Sequence, residues 1–184
     1  MGSNTRSLLA LGFITVRHHV EHGYFGGYLI LNQLGRPLEF HCTLPVKPSR
    51  AQSLLYGHTL DEFICGEQIA KALVTKAKLK PSLLLTDCTA VLAFEQVGDE
   101  PMVLVETGDS NIEEARLRRP HQANSNLKRI GASGMKCCVS SSSSSNSDLL
   151  SEIAPKLAPN FDLTEPFQRI AEALLEAHPI VKAA

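Results

Sequence analysis

The sequence predicts an α/β (or α+β) fold: a three-stranded antiparallel meander, a helix, one or more further buried strands, and C-terminal helices. Three observations carry this expectation. β-Branched and alternating stretches occupy the chain up to Leu44, a capped apolar stripe at helical spacing follows from Thr59, and a short uniformly apolar run, "PSLLLTDC", comes after it. With 184 residues, 43% of them hydrophobic and 20% charged, the chain is long enough to bury one real core and short for two.

"LGFITVRHH" is apolar and β-branched, "GGYLILNQ" is continuously apolar, and "EHGYFG" supplies a turn between them. "PLEFHCTL" alternates strictly, which predicts Leu38, Phe40, Cys42 and Leu44 on a core face and Glu39, His41 and Thr43 on a wet one. "NQLGRP" turns into that third strand, with Gly35 available for positive φ and Pro37 at the strand's start. A short helix is expected from Ser49 to its stop at Gly57. Thr59 and Glu62 have capping-box spacing, and Leu60, Phe63, Ile64, Ala70, Leu73, Val74 and Ala77 line one helical face up to Pro81. The run ending at Asp87 reads as a strand buried on both faces. "VLAFEQV" and "MVLVE" flank "GDEP" and read as a hairpin, the first being equally compatible with a helix.

Three parts are expected: an α/β domain over residues 1–106, a flexible basic and Ser-rich linker over 107–147, and C-terminal helices over 148–184 that pack on the domain. Six consecutive serines, Ser140 to Ser145, mark the linker. No acid lies between Ala115 and Ser147, against Arg116, Arg118, Arg119, Lys128, Arg129 and Lys136. In "LTEPFQRIAEALLEAH" Thr164 is placed to cap, Pro166 sits in the first turn, and Phe167, Ile170, Leu174 and Leu175 share a face.

No apolar run reaches the length of a membrane span, and the start lacks the features of a secretory signal, so no membrane association and a cytoplasmic location are expected. Five cysteines without a CxxC pair indicate neither a disulfide framework nor a Cys-rich zinc site. Cys42 and Cys65 fall at apolar positions. The role of the vicinal Cys137 and Cys138 is left open. A net charge of −1 argues against a wholly electrostatic partner. Phosphate-loop, dinucleotide, serine-elbow and kinase signatures are absent from the sequence.

Three clusters are chemical candidates. "HHVEHGYF" contains His18-x-x-Glu21-His22, which resembles the inverted zincin motif and, with Phe25, the H-x-x-E-H-x-x-F signature of pitrilysin-type metallopeptidases. That resemblance implies zinc on His18 and His22, with Glu21 activating water. The spacing converges only on a helix, and the β-branched lead-in favours a strand, so the expected state is a polar hairpin end. His19-x-Glu21 is similar to part of the zinc-deaminase pattern, whose P-C-x-x-C partner is missing here.

The second cluster joins Glu67, a charge inside the apolar stripe, to Asp87 at the end of "LLLTD". The order of elements across this half of the chain resembles ribonuclease H-like folds. In that family, carboxylates from the first strand, first helix and fourth strand gather two Mg²⁺ ions for attack on phosphate. The resemblance places Glu67 at the helix position and Asp87 at the fourth-strand position. The first strand has no acid, with only Glu21 near its end, which admits a non-catalytic member.

The third cluster is the polar face with Glu39 and His41, flanked by Arg36 and Lys47. The leading expectation is a non-catalytic interaction module that binds a protein partner through this face or an exposed helix. The alternative is a metal-dependent nucleic-acid-processing enzyme, or its inactive relative, in which residues 115–136, with Arg116, Arg118 and Arg119, guide phosphates. A zinc hydrolase on the histidine motif is third.

Overall fold

The computed structural model describes residues 9–106, 119–120, 128–130, 138–141 and 144–179. Strand β1 (Ala10–His19) pairs antiparallel with β2 (Gly23–Asn32), and β2 with β3 (Pro37–Cys42), giving the expected meander. Strand β4 (Leu83–Thr86) lies parallel to β1, and β5 (Met102–Glu106) parallel to β4. Two short strands, β6 (Lys128–Ile130) and β7 (Cys138–Ser141), extend the sheet to the order β3-β2-β1-β4-β5-β7-β6.

The sheet is covered on both faces, and strand alternation assigns each residue to one of them. On one face Leu11, Phe13, Phe25, Leu29, Leu83 and Leu85 meet Leu150 and Ile153 of α4 (Ser144–Ile153) and Phe167, Ile170 and Leu174 of α5 (Glu165–Ala177). On the other, Ile14, Val16, Tyr24, Tyr28 and Leu84 meet Ile64, Cys65, Ile69 and Leu73. Those last residues belong to a helical rod made of α2 (Leu60–Glu62), a π-helical stretch (Phe63–Ala70) and α3 (Lys71–Lys76). A 3₁₀ segment, Thr89–Gln96, shares that layer.

Gly26 and Gly27 explain why both layers come so close. A Cβ on Gly26 would stand 2.1 Å from Ile69 Cγ2, and one on Gly27 would stand 2.2 Å from Ile170 Cγ2. Their side-chain positions point to opposite faces, so each glycine seats one helix layer.

Helix α1 (Arg50–Tyr56) forms as expected. Ser49 and Gln52 make a reciprocal capping box, and Gly57 ends it at φ 52°. The cap expected at Thr59 is absent, because its hydroxyl donates to the Tyr56 carbonyl inside a 3₁₀ turn. Thr164 likewise bonds Asp162 instead of capping α5.

Two expectations are corrected. The proposed Val91–Glu106 hairpin is a 3₁₀ segment, whose Val91 and Phe94 are taken up by the core on one sheet face, followed by a strand parallel to β4. The core face predicted for β3 is largely wet: Leu38, Phe40 and Leu44 are all exposed, because β3 is an edge strand that no helix covers fully. Within residues 107–147 the described elements are β6, β7 and the first residues of α4. Cys137 lies outside the described residues, as does the Cys138 side chain.

Candidate functional site

Parallel β1, β4 and β5 point their C-terminal ends the same way, the edge where open α/β sheets gather ligand groups. Ile14 pairs with Thr86, so Asp87, the next residue, falls level with Thr15. Thr15 and Arg17 continue the phase of Leu11 and Phe13, which puts them on the face covered by α5. Asp87 continues the phase of Leu83 and Leu85 on the same face.

The three side chains close on one another. Arg17 Nη2 donates to Asp87 Oδ2 at 2.6 Å, and Nη1 to Oδ1 at 3.2 Å. Thr15 Oγ1 donates to Asp87 Oδ1 at 2.6 Å, and Arg17 also donates to Thr15 Oγ1 and to the Val16 carbonyl. The Arg17 and Asp87 side chains are 2% and 1% exposed. Arg119 reaches the same carboxylate from outside, its Nε 3.5 Å from Asp87 Oδ2. A fork of donors on a buried carboxylate is the arrangement that makes such a pair tolerable in low dielectric.

Glu67 sits on the opposite side. It belongs to the π-helical stretch whose Ile64, Cys65 and Ile69 pack on the other sheet face. Among the described residues, no group of three or more His, Cys, Asp or Glu side chains is arranged to hold a metal ion. Donor number is the reason: Asp87 brings one carboxylate, already engaged by guanidiniums and a hydroxyl, whereas Mg²⁺ sites draw on several oxygens.

The histidine motif straddles a strand end and a turn: β1 stops at His19, and β2 starts at Gly23. The helix on which H-x-x-E-H convergence depends is not there. The His18 ring packs 4.5 Å from Tyr24, and burial holds its pKa below the usual value. His22 stacks 4.7 Å from His19, whose Nδ1 accepts from the backbone N–H of Glu21 and His22. Tyr24 in turn donates to Asp61, and burial together with that bond pushes its phenol pKa up.

Glu39 and His41 do come together, with His41 Nε2 2.6 Å from Glu39 Oε1. Glu39 also accepts from the backbone N–H of Lys78 and Leu79, at 2.9 and 3.0 Å, tying β3 to the end of α3. Those bonds, with His41, hold its pKa down at about 2. Its carboxylate oxygens thus latch a turn. Cys65 and Cys88 are buried thiols hydrogen-bonded to each other, and that bond with burial pushes the Cys65 pKa well up. Arg116 and Arg118 lie outside the described residues.

Sequence reasoning missed Thr15 and Arg17 as the partners of Asp87. The signal was present in "FITVR": an arginine in register with Leu11 and Phe13 is a buried charge, which demands a carboxylate.

Searches against family models and against curated proteins gave no match. Among solved structures, human ENDOV aligns over 97% of this chain and 87% of its own, with 13% identity and a TM-score of 0.47. A Ciona intestinalis endonuclease V variant, in complex with an inosine-containing 23mer DNA, aligns over 59% of this chain with 14% identity and a TM-score of 0.39. This chain matches 50% of the length of that structure. No helix among the described residues is long and apolar enough to cross a membrane.

Proposed function

We propose that this chain is a non-catalytic, ribonuclease H-like domain that binds nucleic acid through the C-terminal edge of its parallel strands. The observation that carries the reading is the engagement of Asp87. At the edge where a two-metal site would need free carboxylate oxygens, Asp87 is held by Arg17 and Thr15, with Arg119 beside it. Guanidiniums already stand against the Asp87 oxygens that a dication would need, and the basic residues of the run 115–136 suit a phosphodiester. The element order supports the fold assignment. The acid-free run 115–136, of which Arg119 is the described member beside Asp87, supports the ligand class.

Fluorescence anisotropy with a labelled oligonucleotide tests this. Binding that persists in EDTA, weakens steadily with salt and falls on Arg119→Ala is the expected result. Mg²⁺- or Mn²⁺-dependent cleavage that Asp87→Asn abolishes would establish the catalytic alternative instead.

A protein-binding reading rests on α1. That helix buries none of its residues, and Leu54 and Leu55 are 75% and 85% exposed. Seven residues make a marginal helix on their own, so a partner's apolar surface would stabilise it. Light scattering on the wild type and on Leu54→Ser/Leu55→Ser, with and without candidate partner protein, tests that reading.

A further inference from the structure

Strand β3 closes one side of the sheet, and among the described strands it pairs with β2 alone. An antiparallel ladder turns the backbone groups of successive residues to alternate sides. Thr43 N–H donates to the Gly26 carbonyl at 2.9 Å, and that pair continues the register of Cys42 with Gly27 and His41 with Tyr28. Thr43, His41 and Glu39 therefore bond inward to β2, and the N–H and C=O of Phe40 and Cys42 face the open edge. Natural edges are blunted by lysines, prolines, inward-pointing charges or bulges. Here Pro37 and the register shift between Ile30 and Leu31 disturb only the start of the strand, and residues 39–42 stay regular.

Antiparallel pairing of this edge with itself about a two-fold axis allows few registers, because outward-facing residues must meet outward-facing residues. With the axis at Phe40, that residue faces its own copy, and its ring, 39% exposed in one chain, is covered by its counterpart. On the opposite face Glu39 then stands across from His41 of the second copy, and His41 across from its Glu39. Moving the axis to residue 39 sets glutamate against glutamate, and moving it to residue 41 sets histidine against histidine, so the register at Phe40 alone joins unlike groups. Glu39 has room for the added donor: a carboxylate offers about four lone-pair sites, and His41, Lys78 and Leu79 take three of them. We infer that two copies of this chain pair antiparallel through β3, with Phe40 on the two-fold axis and one sheet running through both.

Light scattering and amide hydrogen exchange of the full chain, each read from about 10 to about 500 μM, test this. The variant is Phe40→Pro, which removes an outward N–H and no bond to β2. The expected result is a mass that rises from one chain to two, with exchange at Phe40 and Cys42 slowing about tenfold over the same range. Phe40→Pro is expected to stay at the mass of one chain while its His41 amide keeps its protection. Should Phe40→Pro not fold, the exchange of Phe40 and Cys42 in the wild type decides alone. A mass of one chain throughout, or a dimer in which those two amides exchange at a rate independent of concentration, would overturn the inference. So would a folded Phe40→Pro that still dimerises, and loss of that dimer in Leu54→Ser/Leu55→Ser would put the second copy on α1 instead.

Discussion

Arg17, in the last residues of β1, and Asp87, just past the end of β4, meet with Nη2 to Oδ2 at 2.6 Å and both side chains almost wholly out of water. Each charge is tolerable only because the other is present, and Thr15 takes up a further carboxylate lone pair. Removing one partner strands the other. Arg17→Met is expected to lower unfolding stability by about 3–5 kcal/mol, whereas Arg17→Met with Asp87→Leu is expected to recover most of that loss. Urea unfolding of the wild type, Arg17→Met, Asp87→Leu and the double variant checks this as a double-mutant cycle.

Gly26 and Gly27 set the spacing of the two helical layers. Gly27→Ala drives a methyl group into Ile170, and the expected cost is about 1–3 kcal/mol. Combining it with Ile170→Ala, which clears the contact, should cost less than the two single changes added together. Thermal unfolding of the set reports the coupling.

Glu39 makes a pH-dependent latch. Its folded pKa, about 2, lies below the ordinary value of 4.5, so the unfolded chain binds that proton more readily than the folded one. The latch therefore contributes fully above about pH 4.5, and its contribution is lost as the pH falls towards 2. Hydrogen exchange should show the Lys78 and Leu79 amides losing protection across that window, and Glu39→Gln should show weaker protection already at neutral pH.

Much of the fold was legible because periodicity is a local signal. The β-branched run to His19, the alternation around Phe40 and the stripe from Leu60 to Leu73 each declare their element type. What alternation cannot reveal is whether a strand is covered, and the exposure of Leu38 and Phe40 follows from β3 lying at the sheet's edge. Strands Lys128–Ile130 and Cys138–Ser141 escaped notice because they are short and lie in a polar stretch, so the pairing of β7 with β5, and of β6 with β7, is tertiary in origin. In the site, Asp87 was recognisable from its place at the end of a buried strand. Its partners are distant in sequence, 70 and 72 residues away.

The central claim is that Arg17 fills the cation's role beside Asp87, leaving an edge that holds phosphate and needs no metal. Mn²⁺ titration followed by paramagnetic broadening of backbone NMR signals, with and without bound oligonucleotide, addresses it directly. The account predicts oligonucleotide binding in EDTA and no selective Mn²⁺ broadening around Thr15, Arg17 and Asp87. Broadening centred on Asp87, together with oligonucleotide binding or cleavage that requires the ion, would contradict it.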